Sequence, residues 1–223
     1  MLLKGKILVL LIVLVATTSV FAQRTRVSLA TDFSVLRNFK EEQRFWSVGQ
    51  TVQFHFHFSP KDGAYAWLSY YTRGKFTNRL TAVAESPLTS PQQINFENKA
   101  EMRFKHISLG WKHYLSGSSD AEVGLNVYHY LGFGLMLGLV ENVHTIGIDT
   151  STYIMPVFSG KANFKRLTLD LGLGVELPVG ADVFLYLEAR AHIPTTDYPS
   201  QHIFINRNAP LAGAANLGIR ILF

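Results

Sequence analysis

The stretch Leu167-Thr168-Leu169-Asp170-Leu171-Gly172-Leu173-Gly174-Val175-Glu176-Leu177 decides the fold. Its odd positions are all aliphatic, and its even positions are polar, charged or glycine. A strand sends successive side chains to opposite faces, so this segment predicts one apolar face and one polar or small face. The period is two, which argues against a helix. Eleven residues of unbroken alternation match the roughly 9–11 that a tilted strand needs to cross a bilayer.

The pattern recurs on both sides of this stretch. Val27 to Val35 alternates in the same way, and Val52 to Phe58 sets Phe54, Phe56 and Phe58 against His55 and His57. Glu101 to Leu115 carries Ile107, Leu109 and Trp111 on one face, and Ala121 to Val140 carries Val123, Leu125, Val127 and then Leu131 to Leu139. Val183 to Ile193 has aliphatics opposite Phe184, Tyr186, Glu188, Arg190 and His192. Ala64 to Asn78 is aromatic on both faces, and a last strand runs from about Leu211 to Phe223. That predicts eight strands. The expected connections are Asn38–Phe45, Ser59–Gly63, Arg79–Lys99, Ser116–Asp120, Glu141–Gly160, Pro178–Ala181 and Thr195–Pro210. The second, fourth and sixth are short and rich in turn formers; the others are longer.

Composition agrees. The 223 residues contain no cysteine, which excludes disulfides, thiolate metal sites and a cysteine nucleophile. Charged residues are 17% and hydrophobic residues 48%, which excludes a largely disordered chain. The opening Met1 to Ala22 has a basic start, an apolar run from Ile7 to Ala16 and short side chains before Gln23. It is expected to be a secretory signal peptide, followed by a barrel domain from 23 to 223. Without Lys4 and Lys6 the formal charge falls from +5 to +3, so nucleic acid is not an expected partner.

In its Ala22/Gln23 cleavage pattern, its alternation of short and long connections, and its ending Leu217-Gly218-Ile219-Arg220-Ile221-Leu222-Phe223, the chain resembles the eight-stranded outer-membrane β-barrels of the OmpA/OmpX type. It is similar in particular to the small outer-membrane barrel proteins of Bacteroidota. The resemblance spans Gln23 to Phe223. It implies an all-β, up-and-down antiparallel barrel in the outer membrane of a Gram-negative bacterium, with short periplasmic turns and long extracellular loops. It also implies contact with outer-membrane lipid and lipopolysaccharide, and no cofactor. The barrel-assembly machinery would read the final strand through Ile219, Ile221 and Phe223. An eight-stranded barrel has an interior just wide enough to be filled by side chains. The strand faces send Asp32, His55, His57, Lys112, Glu122, Asp170, Glu176, Glu188, Arg190 and Arg220 inward. Arg190 and Arg220 are expected to pair with Glu176 and Glu188, since buried charges require partners. Gly132, Gly134, Gly172, Gly174 and Gly218 would make room for large neighbours.

Trp46, Tyr65, Trp67, Trp111, Tyr114 and Tyr130 are expected in interfacial girdles. His129 interrupts a lipid-facing series, which a β-bulge or a strand projecting beyond the membrane would explain. His106 and Ser108 share a face, and Glu122 would complete a Ser/His/acid set loosely similar to that of outer-membrane lipid A deacylases. The flanking residues do not match that family, and the face is the lumen. The pair His55 and His57 is too small a set for a metal site. The cations Arg103, Lys105 and Lys161 to Arg166 are expected near the outer rim, within reach of lipopolysaccharide phosphates. In the fifth connection, Ile146, Ile148, Tyr153, Met155, Val157 and Phe158 would extend the barrel wall or meet a protein partner. The expectation is a noncatalytic barrel with a structural or interaction role through its loops. A lipid-modifying enzyme, a narrow pore and a soluble lipocalin-like carrier are the alternatives; the carrier would invert the faces.

Overall fold

The computed structural model describes residues 26–180, 182–196, 201–203 and 211–223. The expected signal peptide, its cleavage site and most of the connection Thr195–Pro210 lie outside the described residues. The strands are β1 (Arg26–Asn38), β2 (Phe45–His57), β3 (Asp62–Tyr71), β4 (Gly74–Ala84), β5 (Gln93–Ser116), β6 (Asn126–His144), β7 (Tyr153–Ile154), β8 (Gly160–Gly180), β9 (Val183–Pro194) and β10 (Ala212–Leu222). A 3-10 turn, Glu41–Gln43, lies between β1 and β2.

All pairings are antiparallel, and β1 pairs with both β2 and β10, which closes the sheet. β3 and β4 occupy one position in the wall: β3 pairs with β5 from Lys105 to His113, and β4 with β5 from Gln93 to Met102. The break between them falls where β2 runs out. There the Thr72 amide donates to the Val48 carbonyl at 2.8 Å, and Ser47 Oγ donates to the Thr72 carbonyl at 2.6 Å. β7 adds two residues to the outer edge of β4. The result is a closed eight-stranded barrel. Closure removes the sheet edges that hydrocarbon cannot satisfy.

Register stacks the outward side chains of β3, β5, β6 and β8 in rows. The lowest is Asp62, His113, His129 and Leu173. Above it come Ala64, Trp111, Leu131 and Leu171; then Ala66, Leu109, Phe133 and Leu169; then Leu68, Ile107, Leu135 and Leu167. Tyr70, Lys105, Leu137 and Lys165 end the apolar wall. The eight steps from His113 to Lys105 cover roughly 27 Å of strand, or roughly 20 Å across the membrane at the usual barrel tilt, near the roughly 25 Å apolar band of membrane barrels.

Above that last row the alternation inverts. In Glu101-Met102-Arg103-Phe104-Lys105 the polar residues face outward, and Met102 and Phe104 are buried inside. In β8, Phe164 is buried while Lys161 and Lys165 are exposed, and the pattern flips at Leu167. The lower barrel is apolar outside and polar inside; the upper barrel has the sidedness of a water-soluble protein.

Three connections differ from expectation. The fourth runs from 117 to 125 instead of ending at Asp120, so Glu122, Val123 and Leu125 are exposed in a turn and not on a strand. This turn folds under the barrel: the Ser119 amide donates to the Pro60 carbonyl at 2.8 Å, and the Ser119 carbonyl accepts from Arg220 Nη2 at 2.9 Å. The third connection is mostly strand, because β4 and β5 continue to Ala84 and from Gln93. In the fifth, β6 continues to His144, and Ile148, Tyr153, Met155 and Phe158 cover Ala82, Phe96, Leu80 and Ile94 on the inner face of the β4–β5 hairpin. That face is apolar and stands clear of the lower barrel, so the loop supplies its core.

Candidate functional site

The even positions of the membrane-crossing strands converge in the lumen. Asp32, His55, His57, Lys112, Asp170, Glu176, Glu188, Arg190 and Arg220 all lie buried there. Glu122 does not join them and is exposed in the fourth connection. The expected strand from Ala121 is replaced by the turn that caps the lower mouth.

Glu176 on β8 is the hub of the lower lumen. It accepts from Arg220 Nη2 at 2.7 Å, Arg220 Nε at 3.1 Å and Tyr114 Oη at 2.8 Å, with Lys112 Nζ at 3.4 Å. The Lys112 ammonium rests over the Tyr128 ring at 3.6 Å, and the Arg220 guanidinium over Phe184 at 3.9 Å. These faces offset part of the desolvation of buried cations. In the next layer Arg190 binds Glu188 directly and lies 3.5 Å from Asp32. Tyr128 and Tyr130 both donate to Glu188 Oε1 at 2.8 Å. Asp32 accepts from Tyr186 Oη at 3.0 Å, Gln53 Nε2 at 3.1 Å and Ser34 Oγ at 2.5 Å. The expected pairs, Arg220 with Glu176 and Arg190 with Glu188, thus exist, and tyrosines supply donors that charge matching did not anticipate.

The glycines fit this arrangement. A Cβ at Gly174 would enter the Tyr128 ring, one at Gly218 the Tyr186 ring, and one at Gly132 the Tyr65 hydroxyl and the Leu109 carbonyl. Tyr65, Trp67, Tyr114 and Tyr130 are therefore lumen residues and not girdle residues. Large rings facing glycine fill a narrow interior that outward-facing rings would leave empty. Trp46 and Trp111 do point outward. Trp111 Nε1 and His113 Nδ1 meet Asp62 Oδ1 at 3.1 and 2.6 Å. His129 stands beside His113 at the lower edge of the apolar band, ring centroids 5.4 Å apart. Its pairing is regular; the irregularity in β5 falls between Tyr114 and Ser116.

His106, Asp170 and His192 have potential ligand atoms within 4.8 Å of one another. Their hydrogen bonds decide what they are. Trp67 Nε1, a donor only, points at His106 Nδ1 at 3.2 Å. The His106 proton therefore sits on Nε2, which faces Thr168 Oγ1 at 3.0 Å and Asp170 Oδ2 at 3.3 Å. His192 Nδ1 donates to the other oxygen of Asp170 at 3.0 Å. The nitrogen nearest the carboxylate thus carries hydrogen, and the trio reads as a hydrogen-bonded layer of the core. His55 and His57 both bond Ser28 Oγ, at 3.2 and 2.9 Å. Ser108 Oγ donates to the Phe133 carbonyl at 3.2 Å and lies 3.3 Å from Tyr65 Oη. The acid beside His106 is Asp170, so the expected Ser108, His106 and Glu122 set is not assembled.

Above the ionic layers the lumen becomes apolar, built from Leu36, Phe45, Tyr71, Met102, Phe104 and Phe164 with Ile203 over them. A residual cavity of about 20 Å³ remains there, room for about one water.

On the upper rim, Lys75, Glu101, Glu141 and Lys161 form one row. Lys75 and Arg73 bind Glu101 at 3.1 and 3.0 Å, and Lys161 binds Glu141 at 2.9 Å. Hydrogen bonds from Lys75 and Arg73 hold the Glu101 carboxyl below the usual carboxylate range. Arg166, expected on this rim, is instead buried inside.

No protein-family model matches the chain, and no curated protein sequence does. Solved structures do. Neisserial surface protein A aligns with 88% of this chain and 97% of its own, at 12% identity and a TM-score of 0.51. Ail of Yersinia pestis covers 89% and 99% at 10% identity and 0.49. The N-terminal barrel domain of Pseudomonas aeruginosa OprF covers 90% and 100% at 10% identity and 0.48. The chain has the closed eight-stranded fold of outer-membrane β-barrels.

Proposed function

We propose that this chain is a noncatalytic integral outer-membrane barrel. Its lower wall anchors it, its ionic lumen holds the wall closed, and its upper structure meets partners outside the cell. The observation that carries this reading is the inversion of sidedness at Tyr70, Lys105, Leu137 and Lys165. A soluble carrier would keep apolar residues inside along its whole length. Here the lower wall exposes Phe133 (71%), Leu109 (62%) and Leu173 (56%) around a charged interior. Chains exported by a signal peptide, here Met1 to Ala22, reach the barrel-assembly machinery in the periplasm. Ile219, Ile221 and Phe223, outward on the last strand and its end, are the residues it would read. The filled lumen supports a closed barrel over a diffusion pore. The β4–β5 hairpin and its loop cover supply the surface for a protein partner.

Single-cysteine labelling tests orientation, since the chain has no cysteine of its own. A Leu88→Cys variant, at the tip of the β4–β5 hairpin, is expected to react with an impermeant maleimide on intact cells. A Val123→Cys variant is expected to react only after the outer membrane is opened. The reverse pattern, or reaction of both only in the soluble fraction, overturns the proposal.

A further inference from the structure

We propose that His113 and His129 hold a divalent transition-metal ion on the outside of the barrel, at the lower edge of the apolar band. The two histidines are register partners on β5 and β6, and Asp62 on β3 is the partner of His113 on its other side. The two imidazole centroids are 5.4 Å apart, with the ring planes at 48°. A metal–nitrogen bond of about 2.1 Å places an ion about 3.2 Å from each ring centroid, so two imidazoles on a tetrahedral ion have centroids about 5.2 Å apart. The rings therefore stand at a ligating separation. Imidazole suits zinc, nickel and copper, and copper(II) is held most tightly.

Two further observations separate this pair from an interfacial girdle. First, Asp62 orients His113 as carboxylates orient the histidines that bind metals. Its Oδ1 meets His113 Nδ1 at 2.6 Å and Trp111 Nε1 at 3.1 Å, and its Oδ2 accepts from Ser59 Oγ at 3.2 Å. An ionised carboxylate only accepts, so His113 Nδ1 carries hydrogen and the neutral ring presents a bare lone pair at Nε2. That nitrogen lies across the ring from Asp62, and β6 with His129 flanks β5 on the side away from β3. Second, among the described residues no hydrogen bond or ion pair engages His113 Nε2 or either ring nitrogen of His129. His113 keeps 31% of its side chain exposed, so water can complete the coordination of the ion. The other histidines differ on these counts. His55 and His57 both bond Ser28, and His106 and His192 are sealed in the lumen with hydrogen directed at Asp170. The ion would cross-link β5 to β6 in the folded barrel alone, and so stabilise it.

The test uses the full chain folded in detergent and Cu²⁺ alone as the probe. Electron paramagnetic resonance counts the nitrogens on the ion, and a titration gives its affinity. The wild type is expected to bind a single Cu²⁺ through two imidazole nitrogens. The double variant His113→Gln/His129→Gln should lose that signal, and each single variant should leave one nitrogen. Asp62→Ala should keep both nitrogens and bind about 10–100-fold more weakly; Asp62→Asn, which keeps an oxygen to accept from Nδ1, should recover part of that loss. Cu²⁺ at a hundred times its Kd should raise the folded-to-unfolded ratio of the wild type about a hundredfold and leave that of the double variant unchanged. The heat-dependent gel shift reports that each variant has folded, and if the double variant does not fold, the two single variants carry the test. No Cu²⁺ bound by the wild type, a two-nitrogen signal that survives in the double variant or in both single variants, or an Asp62→Ala affinity within about twofold of wild type each overturns the site.

Discussion

Replacing Glu176 by alanine removes the shared acid of two buried cations. Arg220 would keep its bond to the Ser119 carbonyl and its place over Phe184, and Lys112 its place over Tyr128. Neither would keep a counter-charge at Glu176. Breaking a buried ion pair from one side costs about 3–5 kcal/mol, which lowers the folded-to-unfolded ratio by about two to four powers of ten. The assay is equilibrium unfolding in denaturant of protein folded in lipid vesicles, followed by tryptophan fluorescence and extrapolated linearly. Replacing the whole group, Glu176→Leu with Lys112→Met and Arg220→Met, should recover most of the loss, because an apolar filling of similar volume leaves no uncompensated charge. A Glu176→Ala cost below about 1 kcal/mol, a value typical of exposed pairs, would mean that water reaches this layer and would refute the filled lumen.

Other outcomes follow from the same geometry. Phe133→Arg places a cation near the middle of the apolar band and should destabilise by about 2–4 kcal/mol; Val123→Arg, in the turn below, should stay within about 0.5 kcal/mol, both by the same unfolding assay. Gly132→Ala should cost about 1–3 kcal/mol through overpacking against Tyr65 and the Leu109 carbonyl, and a Gly132→Ala/Tyr65→Phe double variant should recover part of it. Planar-bilayer recordings of the wild type should show no steady conductance; a stable open channel would contradict the packing around Glu188 and Arg190.

The membrane-crossing strands were legible because lipid on one side and a polar lumen on the other impose alternation that survives in a single sequence. Leu167 to Leu177 shows this, and so do the inward glutamates and arginines it shares with β9 and β10. Glu122 was misplaced because Ala121 to Leu125 also alternates, and nothing local reveals that the turn folds under the lumen onto Arg220. The aromatic residues of β3 were ambiguous because ring size alone does not choose a face. The choice is made by Gly110 and Gly132 on β5 and β6, which leave space opposite Tyr65. The top of the β4–β5 hairpin, Arg79 to Ala84 and Gln93 to Lys99, reads as a connection because its alternation has the opposite sense. The pattern Glu101-Met102-Arg103-Phe104-Lys105 contains the signal, but its meaning depends on where the membrane ends. His106, Asp170 and His192 come from three strands, so their meeting is a product of register.

The central claim is a closed barrel whose lower wall faces lipid. It is tested most directly by refolding the chain from Gln23 in detergent and comparing gel mobility before and after boiling, with circular dichroism on the same sample. The account predicts a β-type spectrum and a compact band that shifts on heating. A chain that stays soluble and folded without detergent, with one unshifted band, would contradict it.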